Sequence, residues 1–273
     1  MRAAIPRSAR ERVHAVLGLV LIAVIVAFAW GARAGHAAAP RFSFGTGVLD
    51  LGPLFRADAR ASGAVLTLRE VYENGYRIWS KQALPAAERL RRNGELRLRL
   101  AQEAGRARRV DLLDLERIVA MESAGKIEVG TNRSGFTGLF QLGPAACSDV
   151  GVSFDEVSRD WRKNLEAGVR FVDLLHQRVT DALRKEPALA AVEVDPFLLY
   201  LAHQQGTNGA LAILRTVKGG ASGDEPAGRN LTSNLMQGST FWKQLTALDH
   251  RPTVLEFYVF FRGAFDAVAA ELQ

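Results

Sequence analysis

Eighteen consecutive residues, Ala15 to Ala32 (AVLGLVLIAVIVAFAWGA), carry no charge, and the residues before them hold Arg2, Arg7, Arg10 and Arg12 against a single acid, Glu11. No other feature limits the fate of the chain so strongly, because a segment of this kind belongs in a bilayer. Its length exceeds the roughly 7–15 residues of a signal-peptide core and falls just short of the roughly 20 that span a membrane. Residues 1–34 therefore read as a signal anchor or a signal peptide. Small residues at Ala32-Arg33-Ala34 and Ala37-Ala38-Ala39 offer cleavage points, with Pro40 opposing the second, and the retained anchor through residues 15–32 is the preferred reading. The arginines stay on the side of synthesis, and everything after about residue 35 is exported.

The same cluster accounts for most of the net charge. The 273-residue chain carries +6, and residues 1–39, with five Arg and one Glu, supply +4 of it, leaving +2 for the body. Nucleic acid is excluded as a partner, since the basic residues are not interleaved with aromatics and export removes the chain from it. Cys147 is the only cysteine, so no internal disulfide or Cys-based metal cluster can form, and the five His include no HExxH pair. No metal and no cofactor are expected.

Residues 35–62 are rich in Gly, Ala and Pro without a sustained period, and read as a linker. Ala64 to about Leu84 places Leu66, Val71, Ile78 and Trp79 at helical spacing, with Gly75 as a weak point. The following stretch to residue 110 is crowded with Arg89, Arg91, Arg92, Arg106, Arg108 and Arg109. Glu88, Glu95 and Glu103 interleave with these, so a solvated helix packing its leucines inward fits better than a helix lying on anionic lipid. Residues 63–109 form a helical, Arg-rich extension on this reading.

Asp111 to Glu122 (DLLDLERIVAME) is more informative. Leu112, Leu115, Ile118 and Val119 make an apolar stripe whose next position is Glu122. A carboxyl group at the end of a buried stripe is poorly solvated, which disfavours its charged form and suits a general acid. Periodicity alone equally allows a glutamate that escapes to water where Ser123 and Gly125 end the helix. A glycine-punctuated loop, 130–138, then a small-residue segment with a helix start near Pro144, could wall a cleft beside it. Asp160 to Lys185 is a strong amphipathic helix on which Asn164 and Gly168 lie one turn apart, the first placed to bond a loop and the second to admit a close neighbour. Pro196 opens another helix, ending in His203, Gln204 and Gln205. Ala210 to Val217 reads as a short helix, residues 218–239 as a loop, and Val254 to Leu272 as a closing helix whose Phe257, Phe260, Phe261 and Phe265 belong to the core.

In order and spacing, Glu122-Ser123, Gly138-Leu139-Phe140-Gln141, Asn164-x-x-x-Gly168 and Ala202-His203-Gln204-Gln205-Gly206 together resemble the soluble lytic transglycosylase domain of the lysozyme-like superfamily. The resemblance covers about residues 110–217 and implies a mainly α, lysozyme-like helical catalytic domain over 110–273. It places the sole catalytic acid/base on Glu122. Ser123, Phe140, Gln141, His203 and Gln204 match substrate-binding positions, and Gly138, Asn164, Gly168 and Gly206 match a structural motif. The chain departs from the family at His203 and Gln204, which stand where the family has Tyr and Asn. His-Gln-Gln is similar to a variant of phage-like members.

The resemblance implies a substrate, the peptidoglycan glycan strand of the bacterial wall, and a location at the inner membrane facing the periplasm, or in the periplasm if the N-terminal segment is cleaved. It implies cleavage of the β-1,4 bond after N-acetylmuramic acid with closure of a 1,6-anhydro ring. One carboxylate suffices for this, whereas ordinary glycoside hydrolysis uses two. Glu128 and Asp149 are the acids nearest in chain order, and both read as solvated loop residues. Two alternatives stand beside this reading: a hydrolytic muramidase, and a catalytically silent peptidoglycan-binding module of an envelope-spanning complex with a protein partner.

Overall fold

A computed structural model describes residues 67–128, 130–132, 134–219 and 253–273. The uncharged run 15–32, the linker 35–62 and the loop residues 220–239 lie outside them. Among the described residues the chain is mainly helical, the only β pairing being an isolated bridge between Thr137 and Leu142. No helix of the described residues is long and apolar enough to cross a membrane.

Helix α1 spans Leu68–Arg92 and begins at a capping box. Glu70 N–H donates to Thr67 Oγ1 at 3.3 Å, and Thr67 N–H donates to the Glu70 carboxylate at 2.7 Å. The expected end near Leu84 is wrong, because the helix runs on through Pro85. Pro85 faces solvent, while Ala83, Ala86, Ala87 and Leu90 around it are buried, and their packing outweighs the hydrogen bond that proline removes. The break comes at Asn93. Its side-chain oxygen accepts from Leu96 N–H at 3.0 Å and starts α2, Gly94–Arg106.

Gly75 is likewise no weak point. A Cβ built there would lie 2.1 Å from the carbonyl oxygen of Phe260, and one on Gly263 would lie 2.2 Å from that of Tyr72. Phe260 and Gly263 belong to α8, Val254–Leu272, which also opens on a capping box, formed by Thr253 and Glu256. Two glycines thus let the backbones of α1 and α8 touch, and this is the most extensive helix pair of the described structure. The aromatic stripe of α8 is core, with Phe257, Phe260, Phe261 and Phe265 all buried.

Between these two helices in sequence come α3, Leu112–Ser123, the short α4, Pro144–Asp149, and α5, Phe154–Arg159, then α6, Trp161–Arg184, and α7, Pro196–Gly219. Asp111, Asp160 and Asp195 cap α3, α6 and α7 through their carboxylates. The short helix expected over 210–217 is joined to the one opened by Pro196, with a kink at Gly206, whose φ of 69° only glycine adopts readily. Buried ion pairs fasten the ends. Arg262 of α8 reaches Asp195 at 2.9 Å and Asp266 at 3.0 Å, and Tyr72 of α1 donates to Asp266 at 2.8 Å.

Candidate active site

Glu122 sits in the last turn of α3. Ser123 Oγ donates to the Val119 carbonyl at 3.0 Å, and the chain leaves the helix through Ala124 and Gly125, both in the left-handed region. Arg89 of α1 donates to the Ala124 carbonyl, which ties this helix end to α1. The Glu122 side chain is 14% exposed and opens on a hollow of about 300 Å³. Glu122, Ser123 and Gln141 line it from the segment that carries the resemblance. Trp79 and Gln82 of α1 and Val268 of α8 line it from outside that segment.

The loop opposite is built around Asn132. Its side-chain oxygen accepts from Ser134 N–H at 2.8 Å and Phe136 N–H at 3.1 Å, and its amide donates to Gln141 Oε1 at 2.8 Å. The Gln141 amide in turn donates to the Gly138 carbonyl at 2.8 Å. Gln141 holds a φ of 46°, a left-handed conformation uncommon outside glycine. Such backbone strain concentrates at functional sites.

Asn164 and Gly168 of α6 hold this loop from below. Asn164 donates to the Thr137 carbonyl at 2.9 Å and accepts from Phe140 N–H at 3.1 Å. A Cβ on Gly168 would lie 2.2 Å from the Phe140 ring, and one on Gly138 would lie 2.2 Å from Asn164. Phe140 is therefore not a wall of the hollow. It is fully buried on Gly168 and acts as the plug that anchors the loop.

His203 and Gln204 arrive on α7, just before the Gly206 kink. His203 is almost fully buried, its ring edge-on to Phe171 at 5.7 Å between centroids, and its Nδ1 lies 3.5 Å from Glu122 Oε1. Gln204 donates to the Tyr200 hydroxyl at 2.5 Å. Burial, reinforced by the Glu122 carboxylate, pushes the Tyr200 phenol well above its ordinary range, so it remains a neutral hydroxyl. Tyr200 was not singled out from the sequence. Its spacing to His203 and Gln204, three and four residues on a helix, was the available signal.

Glu122 Oε1, His203 Nε2 and Gln204 Oε1 are all buried without a hydrogen-bond partner. Of these three residues only Glu122 lines the hollow, and since buried polar atoms are nearly always satisfied, a ligand or a water there can supply its missing bond. Glu122 is the only carboxylate among the described residues lining the hollow. Asp149 is held away in a bidentate pair with Arg178, at 2.6 and 3.1 Å, and Glu128 lines a neighbouring hollow. Among the described residues no group of His, Cys, Asp and Glu is arranged to hold a metal ion.

No known protein family matches the chain, and no curated protein matches it in sequence. The candidate site stands on its geometry.

Proposed function

We propose that the chain is a peptidoglycan lytic transglycosylase with a lysozyme-like helical domain, tethered to the inner membrane through residues 15–32 and facing the periplasm. The observation that carries this reading is a lone, half-sheltered carboxylate, Glu122, with an unpartnered buried oxygen in a hollow that contains no second acid among its described lining residues.

A single carboxylate matches a reaction whose nucleophile belongs to the substrate. Glu122 donates its proton to the glycosidic oxygen as the bond from the muramic residue breaks and positive charge develops on its ring. The resulting carboxylate takes the proton of that sugar's own 6-hydroxyl as its oxygen bonds to the anomeric carbon. The 1,6-anhydro ring closes, and Glu122 ends protonated as it began. His203 packs behind the carboxylate and limits its freedom, while Gln141, braced by Asn132 and Gly138, presents a rigid polar edge to the sugar. A hydrolytic muramidase would need a second carboxylate near the bond, as base or nucleophile.

Mass spectrometry of products released from sacculi by the full chain tests the proposal. Anhydro ends, lighter by one water than reducing ends, are expected, and Glu122→Gln stops their release. Reducing ends alone would make the protein a hydrolase. Retention on sacculi with no product, indifferent to Glu122→Gln, would make it a silent binding module of an envelope complex.

A further inference from the structure

The arginines of the Arg-rich stretch differ in how they are paired in the folded chain. Arg97, Arg99, Arg106 and Arg109 each meet a carboxylate, on Glu116, Glu95, Glu103 and Asp173. Arg89 and Arg92 are less closely neutralised. Arg89 donates to the uncharged carbonyl of Ala124, and Arg92, exposed on α1, has only Glu88 at 3.6 Å. Three residues apart on one face of α1, they line a hollow of about 610 Å³. Lys126 lines it too, exposed and with no carboxylate partner among the described residues. Three cations there face one lining acid, Glu128.

This hollow adjoins the one at Glu122, since Lys126 lines both. Helix α1 passes along the two, presenting Trp79 and Gln82 to the first and Arg89 and Arg92 to the second. From Trp79 to Arg89 is about 15 Å along the helix axis. The volume of the second hollow lies in the range of small-ligand sites, about 300–1,000 Å³. A long polymer engaged at Glu122 has to run beyond the first hollow, and the basic walls select what it carries there.

We infer that the Arg89–Arg92–Lys126 hollow binds free carboxylates borne by the substrate strand beside the bond placed at Glu122. This rests on the glycan reading of the site. The sugar rings of such a strand are uncharged, and its carboxylates lie on the short peptides attached to alternate sugars. Arginine pairs recognise carboxylates through two parallel N–H bonds, and lysine adds a mobile point charge. The extension before residue 110 is then part of the binding surface, outside the segment that carries the resemblance.

The test measures binding of soluble strands to the full chain carrying Glu122→Gln, so that nothing is cut. Three probes are used: strands with native peptides, the same strands with carboxylates converted to methylamides, and strands stripped of peptide by an amidase whose newly freed sugar carboxylates are likewise converted to methylamides. Native strands should bind about three- to tenfold more tightly than either other probe, the order expected of a few half-exposed ion pairs. High salt, or the added pair Arg92→Gln and Lys126→Gln, should erase the difference. Arg89 is left in place because it holds the end of α3. Equal binding of native and amidated strands overturns the inference, as does a preference that survives the paired substitution. Product analysis of the unsubstituted chain judges the reaction separately. A carboxylate preference without anhydro products leaves the subsite standing and removes the transglycosylase reading, whereas anhydro products without the preference do the reverse.

Discussion

His203 Nδ1 lies 3.5 Å from Oε1 of Glu122, with both side chains largely withdrawn from water. The imidazole is the polar group that packs closest behind the carboxylate, and Phe171 fixes its ring from the side. Replacing it with Phe keeps the ring volume and removes both nitrogens. Turnover is expected to fall about tenfold or more while KM changes little, the pattern of a group that positions the acid in the transition state. His203→Tyr puts a hydroxyl where the resembled family carries one, and should retain more activity than His203→Phe. Steady-state kinetics of the two variants decide the matter, and parent-level activity in His203→Phe would remove His203 from the mechanism.

The loop that carries Gln141 depends on the contact between Phe140 and Gly168. Gly168→Ala drives a methyl into the Phe140 ring and should cost about 1–3 kcal/mol, as overpacking does. Asn164→Ala leaves the buried N–H of Phe140 without a partner, while the Thr137 carbonyl keeps only the Leu142 N–H, at a cost of about 1–3 kcal/mol. Denaturant melts measure both. Activity should fall more than the unfolded fraction explains, because the loop loses its register against Glu122.

Stability should fall with rising pH over one acidic window. Burial, with Asp111 beside it, lifts the Asp114 carboxyl from its ordinary 3.8 to about 6. The folded chain therefore holds this proton more tightly than the unfolded chain. Ionising it costs stability progressively from about pH 4 to pH 6, and by pH 7 the loss reaches about 1–2 kcal/mol, solvent screening reducing the effect of this partly exposed group. Asp114→Asn removes a group that must ionise, so its melting curves should gain on those of the parent as pH rises through that window. Parallel curves for the two chains would show that Asp114 does not titrate there.

Arg262 joins α7 and α8 through Asp195 and Asp266. Burial works against its charge, but the two carboxylates hold its pKa above the ordinary arginine range. Arg262→Leu strands both acids in a poorly hydrated place and should destabilise the fold by about 3–5 kcal/mol. Changing Asp195 to Asn and Asp266 to Asn in the same chain should recover part of that loss, which calorimetry would register as a rise in Tm over the single variant.

The strongly periodic helices were legible without coordinates. Leu112 to Val119, Leu165 to Leu183 and the phenylalanines of 257–265 repeat at three- and four-residue spacing, and helices need nothing beyond local pattern to announce themselves. Pro85 and Gly75 were misleading because propensity is a weak, local preference. The buried alanines around Pro85 and the close crossing of Gly75 with α8 are tertiary and overrule it.

The candidate site was legible where its parts share one helix or one short loop. Glu122 shows as the last position of an apolar stripe, and Asn164 and Gly168 as neighbours one turn apart. Trp79 and Gln82 of α1 and Val268 of α8, more than 180 residues further along the chain, reach the same hollow, and no local pattern brings them together. Phe140 was read as a substrate-binding position, but its depth depends on the missing side chain at Gly168, which only the packed structure reveals. The amino-acid sequence by itself determined the strongly periodic helices and singled out Glu122 at the end of an apolar stripe, because each is written in residues close along the chain. Tertiary structure decided which side chains surround that acid and which cations gather in the hollow beside it, because burial and charge pairing are set by groups far apart in sequence.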